Sequence, residues 1–380
     1  MTPEVFADDS EAIRRIAREE LVPIARRGTP GRVNRELVRA LGDTGLLARV
    51  FPTSVGGVQD GPVSALQLCV LREALARECV EAETALAMQA LGAYPILQSG
   101  SASVVEQWLP GVCRGDYVAA FALTEPEAGS DAAALTLRAD TTEDGHALTG
   151  TKTWISNAPD ADVYTVFART TPDSGARGVS AFVVDGRSAG ISGTVLEMVS
   201  GHPLGRLDFS AVRVGTEALL GERDAGFAVA MRTLDLFRPS VGAFAVGMAQ
   251  TALEASLTHA AGRRAFGGVL LDLQSVAHQV ADMATKIHAA RLMVLDAARA
   301  YDARSADVTI RSSMAKLFAT EIAQQVVDAA VQIHGAAALE RGHPLEHLYR
   351  DVRAPRIYEG ATEVQRSIIA RRLRRDMFGP

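Results

Sequence analysis

Lysine is almost missing from this 380-residue sequence. It occurs at Lys152, Lys286 and Lys316, and arginine carries nearly all the positive charge. The formal net charge is −6 and no long basic stripe offsets it, which excludes the electrostatic footprint of a nucleic-acid-binding protein. Cysteine is equally scarce. Cys69, Cys79 and Cys113 are odd in number and lack metal-ligand spacing, so they read as buried thiols in a reducing compartment and not as a disulfide framework. No run of about 18 apolar residues occurs, which removes a transmembrane helix. The first twenty residues are acidic and lack a basic stretch followed by an apolar one, so no secretory signal is expected. These absences point to a cytoplasmic protein. Neither G-x-G-x-x-G nor a P-loop is present, so any dinucleotide must be held by something other than a Rossmann turn or a Walker loop.

What is present is ordinary for a globular chain: 48% hydrophobic and 22% charged residues. The length suggests two or three domains with a substantial core. Three zones separate by pattern. Residues 1–118 read as helices, with Ile13, Ile16, Ala17 and Leu21 at helical spacing, a second stretch from Val33 to Leu47, a third from Ser64 to Met88, and a shorter one from Ser103 ended by Pro110. Residues 119–222 carry β-branched or aromatic runs (Val163–Ala168, Val179–Val184, Leu207–Val214) punctuated by Asp144-Gly145, Ser174-Gly175 and Asp185-Gly186, as a small β domain would. Residues 223–380 return to long amphipathic helices, expected over 224–263, 270–301, 307–335 and 359–375, which suits a bundle.

Four stretches carry candidate chemistry. Phe121-Ala-Leu-Thr-Glu-Pro-Glu-Ala-Gly-Ser-Asp131 is a loop able to offer N–H and hydroxyl donors to a flat heteroaromatic ligand; the alternative is an ordinary turn entering a strand. In Lys152-Thr-Trp-Ile-Ser-Asn157, Trp154 could stack on a ring system and Ser156 bond to its edge. Taken alone, a core tryptophan is the better explanation. Gly262-Arg-Arg-Ala-Phe-Gly267, followed by Gln274, is a cationic turn whose arginine fork suits pyrophosphate, although an exposed basic loop is commoner. Glu359 lies in Asp351–Arg366, between a tyrosine and a glycine, where a helix is expected to begin. A desolvated carboxylate there could serve as a base. Helix-dipole complementarity, worth ~0.3–1 kcal/mol, is the commoner explanation of such a glutamate. His343-Pro-Leu-Glu-His347 matches an H-x-x-E-H zinc pattern, but the proline and the lack of a third ligand argue against metal. The basic tail Arg371–Arg375 reads as a solvated helix end.

In order and spacing, these stretches resemble the acyl-CoA dehydrogenase family from about residue 10 to the end. The resemblance implies an α+β fold: an N-terminal helical domain, a middle β-barrel or sandwich domain, and a C-terminal four-helix bundle. It implies FAD as cofactor and a homo-oligomer, usually a tetramer and sometimes a dimer. Phe121, Leu123, Thr124, Gly129, Ser130, Trp154, Ile155 and Ser156 would line the isoalloxazine ring. Arg263, Phe266, Gln274, Gln332, Gly335 and Ala336 would hold the ADP half, partly from a neighbouring subunit, with Ala361 and Glu363 also near the cofactor. Ser130, Asp235, Arg238, Tyr358 and Gly360 would approach the substrate. Glu359 would remove the α-proton of an acyl thioester while the β-hydrogen leaves as hydride to flavin N5. Some members place their base on the helix near Arg238, but here that neighbouring position is Phe237. An acyl-CoA substrate, a role in lipid metabolism and an electron-transfer flavoprotein as acceptor follow from the same resemblance; nucleic acid, membrane and metal do not enter.

Three departures qualify it. Gly335-Ala-Ala-Ala338 replaces the usual Gly-Gly-x-Gly. Ala361 replaces a common threonine, removing a hydrogen bond worth ~0.5–1.5 kcal/mol. Around Met198-Val-Ser-Gly-His-Pro203 the usual glycine-x-arginine element is missing. That last departure keeps open a biosynthetic enzyme acting on a carrier-protein-bound acyl group. Flavin-dependent oxygenases of the fold commonly lack the glutamate retained here, and a non-catalytic relative would be expected to lose the base or the flavin loop.

Overall fold

The computed structural model describes residues 3–379; Met1, Thr2 and Pro380, which fall in the expected terminal domains, lie outside the described residues. The helices are α1 (Pro3–Ile16), α2 (Val22–Ala25), α3 (Arg35–Asp43), α4 (Ala65–Ala76), α5 (Val80–Ser99), α6 (Ala102–Arg114), α7 (Gly226–Gly262), α8 (Gln274–Asp302), α9 (Val308–His334), α10 (Pro344–Asp351) and α11 (Thr362–Phe378). The strands are β1 (Ala119–Ala122), β2 (Arg138–Thr142), β3 (Gly145–Ser156), β4 (Val163–Arg169), β5 (Val179–Asp185), β6 (Ile191–Val195), β7 (Leu204–Gly215), β8 (Arg264–Ala265) and β9 (Gly268–Val269). No helix among the described residues is long and apolar enough to cross a membrane. Backbone contacts divide the chain into two compact units.

One unit comprises Ile16–Val63 and Glu81–Leu234. Its centre is a seven-stranded sheet in the order β1-β4-β2-β3-β7-β6, with β5 pairing the other side of β4. The β-branched runs form the most buried strands: every residue of Val163–Ala168 and Val179–Val184 is buried. Helix α5 lies so close to β1 that a Cβ on Gly92 would stand 2.6 Å from the Ala120 nitrogen, and Thr165 Oγ1 donates to the Gly92 carbonyl at 2.9 Å. Proline does not end α6 as the sequence suggests. The helix passes through Pro110 and stops at Gly115, whose left-handed backbone (φ 75°) lets its N–H cap the Gly111 and Val112 carbonyls. A helix already supplies the φ that proline demands, so α6 continues, at the cost of one lost N–H bond and of crowding between the ring and the carbonyl four residues earlier.

The other unit comprises Met1–Arg15, Ser64–Val80 and Asp235–Pro380. Helices α8 and α9 pack along each other, α11 and α10 pack on α9, and α4 packs on α8. Part of α7 completes this bundle. A Cβ on Gly242 would meet Val294 at 2.7 Å and Ala319 at 3.4 Å, so α7 presses against α8 and α9; Gly247 likewise admits Ala76 of α4. The sequence stretch 64–88 reads as one helix but is broken at residues 77–79 into α4 and α5.

In the sheet-bearing unit one buried ion pair fixes the loop after β1. Lys152 on β3 is wholly buried and donates to Glu125 at 2.8 Å and to the Leu123 carbonyl at 2.9 Å. Glu125 also accepts from the Thr136 N–H at 2.6 Å, the Thr136 hydroxyl at 2.9 Å and the Leu137 N–H at 2.9 Å. Burial acts to raise the Glu125 carboxyl, but the Lys152 charge and these donors outweigh it and hold it below its usual range. Burial pulls Lys152 down to about 8 against the attraction of Glu125. Removing one partner of such a pair strands the other. Lys152→Met is expected to cost about 3–5 kcal/mol in urea unfolding, and Lys152→Met with Glu125→Gln to recover a measurable part of it; an unchanged midpoint in the single variant would refute the role given to this pair.

Candidate active site

Trp154 is not a core tryptophan. Two residues of β3, Thr153 and Trp154, stand opposite Arg206 of β7 in a register shift between Lys152 and Ile155. Such a bulge bends a strand and re-aims a side chain. Trp154 takes a left-handed backbone (φ 52°), and its side chain is 51% exposed. A non-glycine residue held there costs on the order of 1–3 kcal/mol and clusters at functional sites. The Thr153 N–H donates to the Thr124 carbonyl at 3.0 Å, so with the Lys152–Leu123 bond the loop after β1 lies beside the bulge. Phe121 packs on Phe167, ring centroids 4.9 Å apart. Leu123 and Ile155 are buried, whereas Gly129 and Ser130 are exposed. Leu123 and Thr124 are therefore brought beside the segment that carries Trp154, Ile155 and Ser156, while Phe121 stands on β1 just before them.

The sequence reading missed one participant. His202 bonds Ser156, Nε2 to Oγ at 2.8 Å, and burial lowers its pKa to about 4, which keeps the imidazole neutral. Its Nδ1 is buried without a partner. His202 sits in the segment where the glycine-x-arginine element is missing, and that departure was the available signal.

In the helical unit, Glu359 is not at a helix start. Helix α11 begins at Thr362, and Glu359 (φ 50°) and Gly360 (φ 92°) form a left-handed turn ahead of it. The turn is held from inside: Lys316 Nζ donates to the Gly360 carbonyl at 2.6 Å, and Gln365 Nε2 donates to the same oxygen at 3.0 Å. A Cβ at position 360 would collide with Gln365. Both carboxylate oxygens of Glu359 are buried and accept no hydrogen bond. Burial raises its pKa, and the charges of Arg72, Lys316 and Arg238 oppose that rise. Lys316 is itself drawn down to about 8 by burial, with Glu359 pulling the other way. Arg238 donates to Asp235 at 2.8 Å, and burial raises the Asp235 carboxyl against that partner.

Arg72 and Lys316 were not singled out from sequence. Arg72 follows Leu68 and Leu71 and precedes Leu75 on the buried side of α4, and Lys316 is flanked by the buried Ser312, Ala315, Ala319 and Thr320 on α9. A charge inside an otherwise uncharged helical stripe is the trace each leaves.

The remaining expected residues lie in the same unit. Gln332, Gly335 and Ala336 line a pocket of about 610 Å³ together with Tyr349 and Arg350. Arg263, Phe266 and Gln274 line no part of it. The cationic turn is a hairpin, β8–β9, with Phe266 (φ 54°) and Gly267 (φ 89°) at its tip, as a two-residue hairpin turn requires. Phe266 is 90% exposed there. Ala361 caps α11 with no side-chain bond, Glu363 is exposed and pairs with Arg366 at 3.7 Å, and Tyr358 is half-buried. His343 accepts from the Leu345 N–H at 3.1 Å as the N-cap of α10, and His347 pairs with Asp351.

An exposed indole beside a backed hydroxyl, on a bulge lined by loop backbone, fits a flat heteroaromatic ring. The open glycine at 335 leaves room for a ligand to approach the backbone in the pocket lined by Gln332 and Ala336. Comparison with known proteins agrees. The family models described as Acyl-CoA dehydrogenase N-terminal, middle and C-terminal domains match residues 9–116, 120–212 and 224–374. The chain is similar to cyclohexane-1-carbonyl-CoA dehydrogenase of Geobacter metallireducens, 36% identical over 368 residues and 96% of each chain. It is also similar to the Caffeyl-CoA reductase-Etf complex subunit CarC of Acetobacterium woodii, 35% identical over 96% of this chain and 98% of that one. Among solved structures, butyryl-CoA dehydrogenase of Megasphaera elsdenii superposes with a TM-score of 0.92 at 30% identity, covering 98% of this chain and 99% of the other. The chain belongs to the acyl-CoA dehydrogenase family, with its fold of helical, sheet and helical domains, and is a flavoprotein oxidoreductase that uses FAD.

Proposed function

We propose that this chain desaturates an acyl thioester between Cα and Cβ, with Glu359 taking the α-proton. The observation that carries this reading is the Glu359 carboxylate itself, buried, without a hydrogen-bond partner, and set on a left-handed turn. A carboxylate left unsatisfied inside a protein is costly, and a raised pKa brings a base closer to working pH. Lys316 and Gln365 hold the turn, so the carboxylate meets its substrate in one orientation. The Glu359 N–H is the donor we assign to the thioester carbonyl, where charge develops as the α-proton leaves. FAD, when bound, supplies the two-electron acceptor for the β-hydrogen.

The residues assigned to the flavin ring are Phe121, Leu123, Thr124, Trp154, Ile155 and Ser156, with Gly129 and Ser130 offering loop donors. Those assigned to the ADP half are Gln332, Gly335 and Ala336, with the Arg263–Phe266 hairpin and Gln274 contributed in an oligomer. Asp235, Arg238, Tyr358 and Gly360 are assigned to the substrate side. The three-domain partition at 118/119 and 222/223 belongs to the same reading. An acyl-CoA is the substrate class, and an electron-transfer flavoprotein is the acceptor, in keeping with the Etf-complex relative. A carrier-borne acyl group is the second reading; it rests on the exposed Met198 and Val199, where the glycine-x-arginine element is missing.

Glu359→Gln is expected to keep its FAD spectrum and lose about 100- to 10,000-fold in dehydrogenation rate; turnover close to wild type would refute the assignment. In the pH profile of kcat/KM, the acid limb is expected above the ordinary glutamate value of about 4.3, with the rate rising as Glu359 ionises. The Lys316 charge favours the ionised form, so Lys316→Met is expected to move that limb to higher pH, and a limb that stays put would remove Lys316 from the base's environment.

A further inference from the structure

A hydroxyl that holds a ligand in one orientation needs its hydrogen aimed, and a serine left to itself rotates to suit whatever is near. Trp154 and Ser156 are the two side chains at the end of β3 that are not buried, with Ile155 buried between them. That alternation sets both on one face of the strand. Ser156 Oγ meets one protein group among the described residues, the Nε2 of His202 at 2.8 Å. The imidazole is well placed from both sides along the chain. The Gly201 carbonyl accepts from the Gly31 N–H at 3.0 Å, and the Pro203 carbonyl accepts from the Asn157 N–H at 3.0 Å. Preceding a proline, residue 202 also has few backbone conformations open to it.

A neutral imidazole carries one proton, on one of its two nitrogens. Burial lowers the pKa of His202 to about 4, so the neutral form is the one present at working pH. With the proton on Nδ1, a buried N–H would have nothing to donate to, because Nδ1 has no partner. With the proton on Nε2, the donor lies in the bond to Ser156 and only a lone pair is idle. Orphaned N–H groups are rarer inside proteins than idle acceptors, which puts the proton on Nε2. Ser156 Oγ then accepts from His202, and its own hydrogen points away from the imidazole as a donor.

We propose that His202 is a positioning residue for the cofactor: by donating to Ser156 it makes that hydroxyl a fixed donor towards an acceptor atom on the edge of the flavin ring. The edge of an oxidised isoalloxazine carries carbonyl oxygens and unprotonated ring nitrogens, which a hydroxyl hydrogen suits. A serine free to rotate would present a lone pair to them part of the time. The inference rests on the reading of Ser156 as a ring-edge residue.

The test is a double-mutant cycle on the full-length, FAD-loaded protein, read as the FAD dissociation constant from the flavin fluorescence released on dilution. Ser156→Ala and His202→Leu are each expected to weaken FAD binding by about tenfold. Added to Ser156→Ala, His202→Leu is expected to weaken it by less than about twofold more, because it acts through the hydroxyl already removed. Losses that multiply in the double variant overturn the proposal, as does a folded His202→Leu that holds FAD like the wild type. A second readout needs no variant. In nitrogen-15 histidine spectra of the loaded wild type, with His202 assigned through its link to Pro203, Nε2 is expected to carry the proton at neutral pH and Nδ1 to be bare. A proton on Nδ1 overturns the proposal, so a His202→Leu that does not fold does not spare it. If Ser156→Ala itself holds FAD like the wild type, Ser156 is not on the ring and both readings fall. If His202→Leu alone is without effect, Ser156 keeps its place and only the inference is lost.

Discussion

A carboxylate inside a protein with nothing to accept from is the constraint around which the helical unit is organised. Glu359 has no hydrogen-bond donor on either oxygen, yet it is not abandoned to a hydrocarbon interior. Three cations from α4, α7 and α9 act on it at a distance, so the charged form is tolerated and the raised pKa is limited. Had any of them donated directly, the carboxylate would be satisfied and much weaker as a base. Lys316 instead spends its ammonium on the carbonyl of the next residue. One side chain thereby fixes the backbone around Glu359 and biases its charge, while leaving both carboxylate oxygens without a donor.

The sheet-bearing unit solves a different problem by the opposite means. The loop after β1 and strand β3 have to stay in register, and here a buried pair is fully satisfied: Glu125 takes three donors from Thr136 and Leu137 besides Lys152. Complete satisfaction is what makes a buried ion pair a rigid tie. The bulge beyond it can then hold Trp154 in a backbone conformation that tryptophan would not choose. Strain at one residue is sustained because the residues on either side are over-determined.

Most of the architecture was legible in the sequence, because the change from helical to alternating period near residue 119 and back near 223 has few other meanings. Phe121–Asp131 and Lys152–Asn157 stood out as separate motifs whose loop and strand the fold brings side by side, although Trp154 taken alone pointed the wrong way: its exposure depends on a register shift with β7, which is a property of pairing and not of composition. The start of α11 was misplaced by a few residues because Glu359 and Gly360 adopt left-handed backbone, which delays the helix to Thr362. Arg72, Lys316 and His202 left only a trace, a charge in an uncharged stripe or a departure from a motif. Each is a polar residue whose partner lies about 40 to over 280 positions away in the chain, and local pattern does not say which partner that is.

The bulge on β3 has an optical consequence. The chain has two tryptophans. Trp108 is 8% exposed on α6 and lies edge-on to Tyr117 with ring centroids 5.6 Å apart, whereas Trp154 is half in water. The ultraviolet emission of the protein thus comes from one shielded indole and one wet one, and a soluble quencher such as iodide reaches the second alone. A flavin laid on Trp154 would darken that same component by energy transfer. With the flavin so placed, emission would gauge cofactor occupancy without a substrate and without an attached dye.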